Sequence, residues 1–310
     1  MSEKSVSQPV VGAQKIIPCL WFDQGAAEAA AWYAGLFEDS VVYDVDVIRD
    51  TPSGDTETVS FRLAGLELAA IGAGSSFAFN AAASLLVSCP SPEEVDRLYA
   101  ALSPGGSVHM PLGSYPFSGH YAWIRDRFGL HWQLMHVPNG PGKHAIRPCL
   151  RFASEACGRA EEALAWYETV FPDSRRGTCE AYGTDEMPDP RAKTRHAELL
   201  AGGLPFVLAD HGAGDGDVFN EALSFMISCA GQKEMDFYMD RLSHVPDAEQ
   251  CGWLKDRFGV SWQVVPDNLG ELLSGTDAES AAVMEALLSM RRLDLAAMEA
   301  AKRAVHGTMG

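Results

Sequence analysis

The sequence contains no apolar run near the roughly 18 residues that a membrane span needs, and its opening stretch, MSEKSVSQPVVGAQ, lacks the apolar core of a secretory signal. A cytoplasmic protein with no membrane partner is expected. Basic residues are scarce as well: 24 Lys and Arg stand against 42 Asp and Glu, a formal charge of -18. The deficit runs through the whole chain, with eight basic against fifteen acidic residues in 1–143 and sixteen against twenty-seven in 144–310. Such a field repels phosphate backbones, which sets nucleic acid aside as a partner. The seven cysteines include no CxxC pair and mostly sit in apolar, strand-like runs (PCLWF, LLVSC, PCLRF, FMISC), where a thiol acts as a small hydrophobe. Neither disulfides nor structural zinc is expected. No nucleophile has an evident base beside it, and no carboxylate pair stands at a committed spacing.

What the chain does have is a repeat. The stretch WIRDRFGLHWQLM (123–135) returns 130 residues later as WLKDRFGVSWQVV (253–265). IIPCLWF (16–22) answers to IRPCLRF (146–152), AWYAGLFEDS (31–40) to AWYETVFPDS (165–174), and FNAAASLLVSC (79–89) to FNEALSFMISC (219–229). Self-similarity over this length sets the architecture. It gives a flexible N-terminus (1–14), two copies (15–143 and 144–270) and a tail (271–310). The copies differ by insertions of about four and six residues and one deletion of ten, all in turn-like text.

Each copy reads as two units of strand, helix and three strands, an α+β class. In the first, IIPCLWF alternates as a strand, Ala27, Ala30, Ala31, Ala34 and Phe37 follow helical spacing, VVYDVDVIRD with TVSFRLAG reads as a hairpin, and LELAAIG is a fourth strand. After GAGSS the order starts again, with Ser91 and Glu94 marking a helix N-terminus. DRFG joins two strands, its Asp bonding backbone amides across the turn and its Gly accepting positive φ. Trp32, Tyr33, Trp166 and Tyr167, at helical spacing with Phe37 and Phe171, read as helix packing on sheet. In the tail, Thr276 and Glu279 form a capping-box pattern ahead of amphipathic helices, one expected against the body and one bridging to a partner. Homodimerisation through this tail is left open.

The succession PCLWF, WYxxLFxDS, FN before a small-residue strand, and WxxDRFGxxWQ resembles the PhnB-like branch of the vicinal oxygen chelate superfamily. That superfamily holds glyoxalase I, extradiol dioxygenases and bleomycin-resistance proteins. The resemblance covers residues 15–143 and 145 to about 300. It implies tandem domains, each of two βαβββ units curled into a cup, and so an internal pseudo-dimer with two cups. Members of this branch often bear the label 3-demethylubiquinone-9 3-methyltransferase. Methyl transfer of the common kind needs a glycine-rich turn between a strand and a helix. Here GAGSS (72–76) and HGAGDGD (211–217) precede an FN turn and another strand, so S-adenosylmethionine is not expected.

In metal-using relatives four side chains, usually His and Glu, hold the ion. The resemblance puts those places at Ile17, near Ala69, Ser84 and Gln133, and in the second copy at Arg147, about Leu208, Ser224 and Gln263. None is a His or a carboxylate, so no metal cofactor is expected; Asp210 and His211 are the nearest conventional ligands. Strand alternation assigns one cup to Ile17, Cys19 and Trp21 with Ser84, Leu86, Ser88, His131, Gln133 and Met135, a mostly apolar small-molecule pocket. The other receives Arg147, Cys149 and Arg151 with Ser224, Met226, Ser228, Ser261, Gln263 and Val265. Its two arginines call for an anionic partner, either Asp210 or a bound acid, unless they reach out at the strand ends to surface acids. Cys149 beside Arg147, and His120 in YPFSGHYAW near the cup mouth, are the catalytic candidates, although buried strand thiols are mostly inert.

These residues favour a small-molecule-binding protein or a metal-independent enzyme acting on a small metabolite, in one reading anionic. The alternatives are a non-catalytic sequestering protein, a metal-dependent lyase or dioxygenase, and a scaffold with vestigial cups.

Overall fold

A computed structural model describes residues 14–307 apart from 52–53, 139, 141, 184 and 213–215; the N-terminal segment expected to be flexible lies almost wholly outside the described residues. Four units follow one another. The first comprises β1 (Ile16–Phe22), α1 (Ala26–Ala34), β2 (Val41–Thr51), β3 (Gly54–Leu63) and β4 (Leu66–Gly72). The second comprises β5 (Ala83–Cys89), α2 (Pro92–Leu102), β6 (Ser107–Tyr115), β7 (Ser118–Arg125) and β8 (His131–His136). In the third, β9 (Ala145–Phe152) and α3 (Ala160–Val170) precede β10 (Arg175–Ala181), β11 (Thr194–Ala201) and β12 (Leu204–Asp210). The fourth has β13 (Leu223–Cys229), α4 (Gln232–Leu242), β14 (Trp253–Lys255) and β15 (Ser261–Pro266), and the tail forms α5 (Leu269–Leu273), α6 (Asp277–Ser289) and α7 (Leu295–Gly307).

The fourth unit has one strand fewer than the others. The ten-residue deletion, expected in turn-like text, removes the counterpart of β6. An edge strand is paired on one side only, so its loss leaves the rest of the ladder intact. The tail takes up part of the vacated margin: the Cys251 and Gly252 amides donate to the carbonyls of Met290 (2.9 Å) and Arg291 (3.1 Å). The capping box at Thr276 and Glu279 forms as the sequence predicts, and Val283 and Met298 of the tail helices are buried in the body.

The sheets interleave the copies. One runs β14-β15-β13-β1-β4-β3-β2, the other β10-β11-β12-β9-β5-β8-β7-β6. The first unit therefore shares a sheet with the fourth, and the second with the third. The seams are antiparallel, β1 against β13 and β5 against β9. The repeated FN turns clasp each other across the copies: Asn80 Nδ2 donates to the Val218 carbonyl and Asn220 Nδ2 to that of Ala78, each at 2.8 Å. Both helix-covered faces merge into one core, where Phe206 of one sheet meets Phe225 of the other with ring centroids 4.9 Å apart.

The twice-written DRFG builds this core. Asp126 accepts from the Phe128 and Leu130 amides (2.8 and 3.1 Å), from Tyr33 Oη (2.7 Å) and from Trp132 Nε1 (2.8 Å). Asp256 accepts the same set from Phe258, Val260, Tyr167 and Trp262 at 2.8, 3.1, 2.7 and 2.9 Å. Each Asp thus pins the helix of one sheet to the last strand of the other, with Gly129 and Gly259 at positive φ closing the turns.

Candidate functional site

The interleaving redistributes the residues expected to face one another. In the register, Cys19 lies opposite Ser224 and beside Ala69, and Cys149 lies opposite Ser84 and beside Val207. Gln263 Nε2 donates to Ser224 Oγ (3.0 Å) and Gln133 Nε2 to Ser84 Oγ (2.9 Å). Cys19 and Trp21 therefore share a cup with Ser224 and Gln263. Ser84, His131 and Gln133 share the other with Arg147, Cys149 and Arg151. The expected grouping by copy is corrected because each unit's first strand pairs with a strand of the other copy. The place assigned near Leu208 moves by one residue to Val207; Leu208 is fully buried on the core side, since a one-residue slip changes faces.

The centre of each cup is thus Cys, a small apolar residue, Ser and Gln. Burial pushes the Cys19 thiol up to about 11 and raises that of Cys149, so both are protonated at neutral pH. A protonated thiol, a hydroxyl and an amide do not suit a divalent ion, and among the described residues no group of three or more His, Cys, Asp or Glu could hold one. The divalent ion that the sequence resemblance brings into question does not fit these residues.

The second cup carries the charge. Tyr121 Oη donates to Gln133 Oε1 (2.8 Å), extending the bond to Ser84 into a short chain. Arg147 Nη1 donates to Glu198 Oε1 (2.5 Å) and Nη2 to Ser88 Oγ (3.4 Å), while its Nε is buried with no partner among the described residues. Arg151 lies 4.0 Å over the Trp123 ring. It makes no ion pair among the described residues, and burial pulls its guanidinium below the ordinary value. Arg151 Nη1, Trp123 Nε1 and His131 Nδ1 are all buried without hydrogen-bond partners among the described residues. His131 is held down to about 3 by burial, reinforced by His109, Arg125 and Arg151, and the His109 ring lies 4.7 Å from it.

The first cup has none of this charge. Trp21 stands where the other has Arg151, Ile17 where it has Arg147, and Ser261 where it has His131. Trp21 Nε1 donates to the Gly74 carbonyl (2.8 Å), and its ring meets Phe77 and Trp253 edge-on at 5.1 and 6.1 Å.

Two expected site residues are placed elsewhere, and a third is in place without the chemistry expected of it. Asp210 meets neither arginine: Oδ1 accepts from the Gly158 and Ala160 amides (2.9 and 3.1 Å) and Oδ2 from those of Lys193 and Thr194 (3.0 and 2.9 Å), so it anchors the start of α3. His120 points away from the cup, because Tyr121 and Trp123 take the inner face, and its Nε2 lies 2.6 Å from Asp96 Oδ1 on α2. Cys149 lies in the cup, but its raised pKa removes the thiolate a nucleophile needs. Tyr121, Trp123 and Glu198 were missed. The first two alternate in HYAWIR, yet only the pairing of Trp123 with Gln133 tells which face they take.

The chain is similar over 40% of its length to a PhnB protein from Bacillus cereus, at 35% identity, covering 100% of that chain with a TM-score of 0.38. Glyoxalase I from Zea mays matches over 84% of this chain and 95% of its own, at 11% identity and a TM-score of 0.52, a likeness of fold alone. No curated protein sequence matches the chain. The family model described as 3-demethylubiquinone-9 3-methyltransferase matches twice, at residues 14–135 and 144–265, and the chain accordingly belongs to that family in tandem form.

Proposed function

We propose that the cup formed by β5, β7, β8 and β9 binds a small carboxylate without a metal, with Arg151 as its anchor. The observation that carries this reading is Arg151 itself, stacked on Trp123 with no ion pair among the described residues, its Nη1 unpartnered like Trp123 Nε1 and His131 Nδ1 of the same cup. A partly buried guanidinium and two buried ring nitrogens without partners are costly, and a bound carboxylate would satisfy them. The internal repeat supplies a control: the equivalent cup carries Trp21 at that place, so no guanidinium stands there.

Methyl transfer, the activity in the family's description, finds no matching cofactor cradle. Residues 72–76 run on towards β5 and open no helix, and the second glycine-rich stretch lies partly outside the described residues. With both central thiols protonated and His120 on the opposite face, binding rather than turnover accounts for the residues of the cup.

The test is calorimetric titration of a series of small carboxylates, including 2-oxo and aromatic acids, into the protein and into Arg151→Met. Methionine keeps much of the side-chain volume and removes the donors. Affinity should fall by roughly thirtyfold, about 2 kcal/mol, for an anion that loses a charged partner. Equal binding by the variant, or stabilisation by divalent ions alone, would overturn the proposal.

A further inference from the structure

At the opposite end of the same cup lies a cleft of about 250 Å³, lined among others by Arg147, Arg175, Arg176 and Glu198. Four residues of extended strand separate Arg147 from Arg151, roughly 13 Å, so the two ends are separate places. The comparison within the chain is again informative. Arg147, Arg175 and Arg176 stand where the first copy has Ile17, Val41 and Val42. Three apolar positions of the first copy are thus matched by guanidiniums in the second, against one exchange the other way, Arg62 for Leu200, in a chain whose net charge is -18.

The acids present do not use up this charge. Glu198 Oε1 takes Arg147 Nη1 at 2.5 Å and also lies 3.3 Å from His196 Nε2. Glu168 takes Arg176 at 2.5 Å. Arg175 has no ion pair among the described residues, and Arg147 Nε is buried without a partner. Gly177 leaves the floor open: a Cβ there would come within 2.9 Å of the Glu198 side chain, so glycine lets the edge strand close on Glu198.

We propose that this cleft is a second anion site, taking a phosphate-class dianion such as the phosphoryl group of a small ester. Arg175 and Arg147 are the recognising groups, and Arg176 stays with Glu168 at the rim. A tetrahedral dianion suits two guanidiniums offering several donors from different directions. The volume admits a phosphoryl group with a small remainder of substrate attached.

Inorganic phosphate and glycerol phosphate are titrated at matched ionic strength against chloride, with binding read by calorimetry and by the unfolding midpoint. The proteins are the full chain, Arg175→Gln and Arg151→Met. Arg175 is exposed on an edge strand, so its replacement leaves the fold intact. Phosphate should raise the midpoint of the unmodified protein and of Arg151→Met above the chloride control, and Arg175→Gln should bind about tenfold more weakly. A shift no larger than that of chloride, or unaltered binding by Arg175→Gln, overturns the site. Loss of phosphate binding in Arg151→Met as well also overturns it, since that places the dianion at the Arg151 end. Failure of the carboxylate series alone leaves this result standing and removes only the Arg151 reading.

Discussion

Replacing Asp256 by Asn tests whether the repeated DRFG is architecture or chemistry. The carboxylate is 1% exposed and accepts four hydrogen bonds, two from the turn amides of Phe258 and Val260 and two from Tyr167 Oη and Trp262 Nε1. An Asn fits the space and keeps one oxygen for the turn. Its amino group must then face two donors, leaving Tyr167 and Trp262 unsatisfied in the core. Each such loss costs about 1–3 kcal/mol, and since the bonds share one acceptor group the sum is about 3–5 kcal/mol. Against the roughly 5–15 kcal/mol that holds a typical protein folded, the urea midpoint should fall by about a fifth or more. Tyr167→Phe alone removes a single donor and should cost about 1–2 kcal/mol; combined with Asp256→Asn it should relieve one clash, giving a coupling of about 1 kcal/mol. Asp126, with an equivalent partner set, serves as a replicate. Asp256 and Trp262 belong to the sheet that does not carry Arg151, so the folded Asp256→Asn protein should retain whatever affinity Arg151 confers. A loss below about 1 kcal/mol, or lost ligand binding at unchanged stability, would refute the architectural reading.

Acidification should destabilise the protein through His131. Its folded pKa, about 3, lies below the ordinary value of 6.5, so between these values the unfolded chain binds a proton that the folded chain does not. Stability is full above pH 6.5 and falls by up to about 1.4 kcal/mol per pH unit below it. His131→Gln should flatten urea midpoints measured between pH 7 and pH 5, and an unchanged slope would count against the assignment. Thiol labelling gives an independent check: at pH 8 the exposed Cys179 should react with a chromogenic disulfide in the native state, whereas Cys19 and Cys149 should wait for unfolding. Rapid native labelling of Cys149 would reopen its claim as a nucleophile.

The fold was legible because its signals are local and occur twice. The strand alternation of IIPCLWF, the helical spacing around Tyr33 and the Asp–Gly turn of DRFG each act within a few residues, and the second copy confirms each reading. The makeup of a cup was not legible in the same way. Whether Cys19 faces Ser84 or Ser224 depends on which pair of first strands forms the seam, and no residue near Cys19 encodes that choice. Asp210 misled for a related reason. A carboxylate two residues from the place assigned near Leu208, in a cup with two arginines, reads as their partner, but four backbone amides at the start of α3 and of β11 reach it first. In the first copy Gly72 occupies that strand end, and Glu57 accepts from the Ala27 amide at the matching helix start. One structural task is thus met by acids from different strands, which the repeat alone could not reveal.

The crossed assembly explains how the two cups came to differ. If a single copy of this fold formed a symmetric dimer across the same seam, each cup would join β1 of one protomer to the partner's β5, and symmetry would make both cups identical. An arginine introduced at one first strand would appear in both. Joining two copies in one chain removes that constraint, because the seams β1–β13 and β5–β9 now involve four separately encoded strands. Arg147, Arg151 and Arg175 all lie in the third unit and share the face of one cup, while Ile17, Trp21 and Val41 stand at the matching places of the other. The polar centre of Ser and Gln persists in both, as a part that tolerates either environment. The separate encoding of the four strands thus lets one cup gain arginines that the other does not share.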